Sequence, residues 1–129
     1  MAYRLIRPEE LEWTTRPHDP GQPARHVAEL SEHLESGQVR ANVWRYEPGA
    51  TGRRHRHPVQ AETFVVLAGT LSMYLGEPPE RHDVEAGGLV HVEPATPLQI
   101  VNHGAGELVL YAYGAPPERG HAEFLDSAV

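Results

Sequence analysis

From residue 39 to residue 113 the chain reads as short runs of alternating side chains, cut by glycine or proline about every eight to twelve residues. Successive side chains of a strand point to opposite faces, so a period of two marks a strand. Val39, Ala41 and Val43 alternate with Arg40, Asn42 and Trp44 before Pro48 and Gly49 stop the run. Further runs cover residues 62–67, 70–75, 82–84, 89–92, 99–101 and 107–113. Gly69, the Pro78–Pro79 loop and Gly87–Gly88 separate several of them. Many short strands with regular turns predict an all-β sandwich or barrel. The twelve glycines and twelve prolines are spread along the chain, which suits turns better than a flexible linker.

The first 38 residues have another character. Pro8 is placed to start a helical turn through Glu9, Glu10 and Leu11. Residues 16–23 carry three prolines and a glycine, so they read as an extended arm, with Trp13 as its large apolar anchor. Val27, Leu30 and Leu34 are spaced by three and four, which predicts a short helix over residues 24–36 stopped at Gly37. The rival reading makes residues 26–30 a strand on a sheet edge. His26 and His33 fall beside the apolar stripe and read as solvent-facing. After Pro116–Pro117 the tail is polar and reads as loosely held, with Phe124 and Leu125 as docking points. The division expected is one domain: an arm (1–38), a β-barrel core (39–115) and a tail (116–129).

With 129 residues the chain can bury about two-thirds of its unfolded surface, enough for one core. There is no cysteine, so disulfides, thiolate ligands and a cysteine nucleophile are excluded and any metal site must use nitrogen and oxygen. The net charge of −7 disfavours nucleic acid and anionic membranes, which need a basic face. No apolar run approaches the ~20 residues of a membrane span, and the charged N-terminus has no apolar core of a signal peptide. These features predict a cytoplasmic protein. No phosphate loop, dinucleotide fingerprint or serine triad is present.

The chemistry concentrates in residues 49–69. His55 and His57 are two apart, so on a strand they share a face. Pro58 cannot donate to a sheet ladder and should break the strand there, letting Glu62 return to the histidine side. Two imidazoles and a carboxylate suit a divalent ion such as Fe, Mn, Ni, Zn or Co, and the set resembles the two-histidine, one-carboxylate triad of non-haem iron sites. Of the three arginines around the histidines, Arg53, Arg54 and Arg56, the parity of Arg56 sets it on the opposite face. Residues 64–67 then read as a buried strand.

This stretch resembles the cupin family, whose first signature, G-x5-H-x-H-x4-E-x6-G, is met at every fixed position from Gly49 to Gly69. The resemblance implies an antiparallel jelly-roll β-barrel, a metal held by His55, His57 and Glu62, and a homodimer in which terminal strands cross between subunits. It also implies a second signature, G-x5-P-x-G-x2-H-x3-N. Here Gly87 and Asn102 are kept, but Glu93 stands for the proline, Ala95 for the glycine and Leu98 for the histidine. Leucine has no lone pair, so the fourth ligand is missing. Gln99, His91 and His103 are the nearby donors, and none is clearly placed to replace it.

Two functions follow. One is a metal-dependent enzyme acting on a small organic molecule, with dioxygenase, isomerase or related chemistry. The other is a metal-free or weakly metal-binding pocket, a sensor or carrier of a small ligand. Without metal or cation, a buried Glu62 should have a raised pKa and could serve as a general base or acid. Phe64 and Val66 share the parity of Glu62 and should line the same interior. Trp44 and Tyr46 share one face, as do Leu71, Met73 and Leu75, and all read as lining or core. Tyr111 and Tyr113 share another, from which one could cap the pocket. Histidines 18, 82 and 121 read as solvated.

Overall fold

The computed structural model describes residues 3–117 and 121–129. Residues 1–2 of the arm and 118–120 of the tail lie outside the described residues. The architecture is all-β. Eleven strands form two antiparallel sheets among the described residues. The strands are β1 (Trp13–Thr15), β2 (Arg25–Glu29), β3 (Arg40–Tyr46), β4 (His55–Arg56), β5 (Ala61–Ala68), β6 (Thr70–Leu75), β7 (Glu80–Glu85), β8 (Leu89–Val92), β9 (Leu98–Val101), β10 (Leu108–Ala115) and β11 (Glu123–Phe124). Their order is β1-β2-β3-β10-β5-β8 in the first sheet and β11-β4-β9-β6-β7 in the second. No ladder among the described residues joins the sheets, so the expected closed barrel is instead a two-sheet jelly-roll sandwich. Among the described residues no helix is long and apolar enough to cross a membrane.

The core fills the space between the sheets beside a cavity. Phe64, Val66, Leu108 and Leu110 of the first sheet meet Leu71, Met73, Leu98 and Ile100 of the second. Burying a side chain of this size is worth about 1.5–3 kcal/mol, so this cluster is the main source of stability. Leu75 packs against it only partly buried. Gly69 closes the β5–β6 hairpin at φ +77°, and a Cβ there would lie 2.6 Å from the Glu107 carbonyl oxygen. That close approach is what the last glycine of the first signature permits.

The helix expected over residues 24–36 does not form. Its first part is β2, which pairs with β3 through Val27 opposite Trp44 and Ala28 opposite Val43. Only Ser31–Leu34 makes one helical turn, and Glu35 ends it in the left-handed region at φ +50°, ahead of Gly37. The three-and-four spacing was outweighed by an open edge on β3, where five residues gain a full ladder. The rival reading holds as to a strand, which runs over Arg25–Glu29, but β1 covers its outer side, so β2 is not the sheet edge. The turn at Pro8 does form, as a 3-10 turn over Pro8–Glu10. Trp13 sits in β1 opposite Ala28, with the Arg45 guanidinium 5.1 Å from its ring centre.

Three smaller expectations also change. Leu67 is exposed, because it falls on the outer face of β5. His26 is not solvated: its ring bonds Thr15 Oγ1 at 2.9 Å and Glu47 Oε2 at 2.8 Å. The tail is not loose. Its β11 pairs with β4, and the buried Gln99 donates to Ser127 Oγ and accepts from the Ala128 N–H.

Candidate metal centre

Next to the core, and sharing Tyr46, Phe64, Leu98 and Ile100 with it, lies a cavity of about 240 Å³. His55, His57 and Glu62 line it together, with Leu98 and Phe64 beside them. Each of the three offers one ligand atom within 4.8 Å of the other two. Pro58 ends the histidine strand as its chemistry requires, β4 stopping at Arg56. The chain turns and re-enters as β5, where Glu62 pairs with Gly114 on one side and Val92 on the other. The carboxylate so returns to the imidazoles from the opposing sheet.

The hydrogen bonds prepare the donors. His55 Nδ1 donates to the Arg53 carbonyl at 2.9 Å, and a carbonyl can only accept. The proton is therefore on Nδ1, and Nε2 keeps its lone pair. The His55 and His57 rings meet edge to face, 5.0 Å between centres. His57 Nε2 stands 3.4 Å from Glu62 Oε1, too long for a good hydrogen bond. His57 Nδ1 and Glu62 Oε1 are both buried without a hydrogen-bond partner. An unpaired buried polar atom costs about 1–3 kcal/mol, so Glu62 Oε1, left without a partner and facing His57 Nε2 across a gap too long for a hydrogen bond, calls for a further occupant at the cluster. Burial pushes the His55 pKa below the ordinary histidine value, with the His57 and Arg25 charges acting the same way and the Arg53 carbonyl and Glu62 opposing. His55 is thus held neutral, the form that ligates a metal.

The arginines sort by parity. Arg54 is buried on the far side and donates to Glu77, to the Gly76 carbonyl and to the Asp126 carbonyl. Arg56 pairs with Glu123. Arg53 lies on the cavity side, 3.6 Å from the Phe124 ring centre. Glu62 forms no ion pair with any of the three; its partner is His57.

Leu98 stands opposite His55 in the β4–β9 ladder and is fully buried on the cavity wall. It holds the place of the histidine of the second signature. The same turn grips the first motif, because the Ala95 N–H donates to the His57 carbonyl at 2.7 Å. Ala95 adopts φ +66°, the left-handed conformation that a glycine would take at lower cost. Asn102 is buried and bonds the carbonyls of Tyr46 and Gly106 and the N–H of Gly104. None of the candidate replacement donors reaches the site. Gln99 faces away, donating to the Gly52 carbonyl. His91 is on the outer face beside Thr63 and Glu93, and His103 bonds Tyr74.

Trp44 and Tyr46 face the cavity, so the polar parity of β3 is the inner one. Burial pushes the Tyr46 phenol up, opposed by Arg25. Tyr111 and Tyr113 do not cap the pocket; they pair with Val65 and Thr63 on the outer face of the first sheet. Residues absent from the expected site also line it: Arg16, Arg25 and Arg40 from the N-terminal half, and Ala122 and Phe124 from the tail. Their signal in the sequence was weak. Arg25 shares strand parity with Val27, and that is visible only once residues 25–29 are read as a strand.

Residues 42–113, more than half of the chain, match the cupin-domain family. The chain is a cupin. No curated protein matches this cupin significantly in sequence. Among solved structures it resembles a Klebsiella pneumoniae protein with a double-stranded β-helix domain, at 22% identity over 96% of this chain and 98% of that one, TM-score 0.74. A sugar phosphate isomerase of the cupin superfamily from Silicibacter pomeroyi is similar at 21% identity over 88% and 76% of the two chains, TM-score 0.74. A predicted oxalate decarboxylase from Thermotoga maritima follows at 18% identity over 86% and 97%, TM-score 0.74. These likenesses are of fold.

Proposed function

We propose that this cupin holds a divalent metal through His55, His57 and Glu62 and acts there on a small organic molecule. The observation that carries the reading is the clustering of three donors within 4.8 Å of one another, with the buried Glu62 Oε1 left without a hydrogen-bond partner among them. Bound there, a divalent ion supplies Lewis-acid polarisation and lowers the pKa of coordinated water. The chain's own residues do the rest. His55 is kept neutral and aimed by the Arg53 carbonyl. Leu98 and Phe64 form an apolar wall that keeps water from one side of the site. With three protein donors instead of four, more coordination positions remain for substrate. The solved relatives described as a sugar phosphate isomerase and a predicted oxalate decarboxylase act on small molecules by those descriptions, which favours the same class here.

The second reading, a pocket that binds a small ligand without metal, draws on Leu98 alone, and it leaves the unpartnered Glu62 oxygen unexplained. The reading also takes the chain as a single cytoplasmic domain and a homodimer. The exposed Leu67, Leu89 and Tyr113, on one outer sheet face, support an apolar contact between copies.

Elemental analysis of untagged protein tests the metal. About one equivalent of a transition metal is expected, and His55→Ala and Glu62→Ala should each abolish it. Less than a tenth of an equivalent in the wild type after reconstitution would remove the proposal and favour the metal-free pocket.

A further inference from the structure

The cavity is basic although the chain is acidic. Four arginines line it (Arg16, Arg25, Arg40 and Arg53) against two glutamates, Glu29 and Glu62, in a chain of net charge −7. The glutamates are already engaged: Glu29 faces Arg40 at 3.7 Å, and Glu62 faces His57. Among the described residues, no carboxylate forms an ion pair with Arg16, Arg25 or Arg53, although six other arginines each pair with one. The three converge from separate elements, after β1, within β2 and before β4.

Two of these guanidinium groups are also held by aromatic faces. Arg25 lies 5.6 Å from the Trp44 ring centre and 5.8 Å from that of Tyr46, and Arg53 lies 3.6 Å from that of Phe124. The Arg16 N–H donates to the Arg25 carbonyl at 2.9 Å, which ties the end of β1 to the same wall. Arg53, close against its ring face, keeps its N–H edge available, and Arg25, which also hydrogen-bonds the Tyr46 hydroxyl, keeps its remaining N–H groups; the planar guanidinium matches the two oxygens of a carboxylate or phosphate. Fixing the side chain beforehand also lowers the entropy cost of binding. The rest of the wall is aromatic and aliphatic: Trp44, Phe64, Phe124 and Leu98. A cavity of about 240 Å³ is of a size that suits a small molecule.

We propose that the ligand of this cavity is a small organic oxyanion, a carboxylate or phosphate monoester on a compact apolar body. Arg25 and Arg53 take the oxyanion, Arg16 adds charge, and the body rests on Trp44 and Phe64 next to His55, His57 and Glu62. The inference rests on the metal reading for whatever chemistry follows binding, but the recognition uses none of the three donors.

Calorimetry on the full chain tests it, with benzoate, phenyl phosphate and the neutral isostere benzamide, on chelator-treated and zinc-loaded protein. At least one anion should bind ten times more tightly than benzamide, and more weakly as salt rises. The better of the two anions tells which oxyanion the fork prefers. Arg53→Gln, at an exposed position, should weaken the anion at least threefold, and Arg25→Gln with Arg53→Gln at least tenfold, with benzamide unchanged. Arg45→Gln, which breaks an ion pair outside the cavity, should leave anion binding as in the wild type. Benzamide binding as well as both anions, neither anion binding at millimolar concentration, or full anion affinity in Arg53→Gln would overturn the proposal. Zinc uptake without anion preference sinks this inference and spares the metal; arginine-dependent anion binding without zinc uptake does the reverse.

Discussion

Replacing Leu98 with histidine should restore the fourth ligand at a cost in stability without metal. Leu98 is 1% exposed and lies across the ladder from His55, so the new imidazole would stand on the cavity wall beside the three donors. The lost apolar burial costs about 1.5–3 kcal/mol, and burying a polar ring without a partner about 1–3 kcal/mol more. We expect about 3 kcal/mol of destabilisation in the metal-free protein. At ~2.1 cal/mol/K of unfolding entropy per residue, 1 kcal/mol corresponds to about 4 °C in a chain of this size, so Tm should fall by about 11 °C. Zinc at a hundred times Kd returns about 2.7 kcal/mol, or about 10 °C. Each tenfold gain in affinity from the fourth donor adds about 1.4 kcal/mol, or about 5 °C, at fixed metal concentration. Thermal melts of wild type and Leu98→His, with chelator and with zinc, measure both quantities. The zinc-induced rise in Tm should be larger in the variant. A rise equal to or smaller than that of the wild type would refute the placement of Leu98 at the ligand position.

Three further outcomes are expected. His55 has a folded-state pKa below its unfolded value, so the unfolded chain takes up the proton first as pH falls. Metal-free wild type should therefore lose stability below about pH 6.5 until the folded-state pKa is passed, and urea melts of His55→Ala should lack that component. Asn102→Ala removes a buried amide that bonds Tyr46, Gly104 and Gly106, and should cost about 2–3 kcal/mol in urea melts without altering metal stoichiometry. Ala95→Gly relieves a left-handed alanine, worth about 1–2 kcal/mol, against the entropy a glycine adds to the unfolded chain. A net gain of up to about 1 kcal/mol is the expected result, and a loss would mean that the turn needs the methyl group.

The strands from residue 40 onward were legible because one face of each is buried and the other is not, which writes a period of two into the sequence. The three donors were legible for a related reason: spacing on a strand, a proline break and flanking glycines together fix where side chains can point. The strand β2, between β1 and β3, was not. Val27 faces the cavity and Ala28 is buried on the opposite side, so both parities are covered and no alternation survives. Its apolar residues instead fell on helical spacing, and only pairing with β3, far from local preference, decided the matter. The basic wall of the site was hidden with it, because Arg16, Arg25 and Phe124 reach the cavity through long-range pairing of the two chain ends. Leu98 was found from the family signature, and its place opposite His55 agrees with that register.

Anomalous diffraction from crystals grown with zinc, recorded on both sides of the zinc edge, tests the central claim most directly. We predict one strong peak within bonding distance of a nitrogen of His55, a nitrogen of His57 and an oxygen of Glu62, about 2.0–2.2 Å from each. A peak that touches only one of the three, or none at full zinc saturation, would contradict the assignment of this cluster as a metal centre.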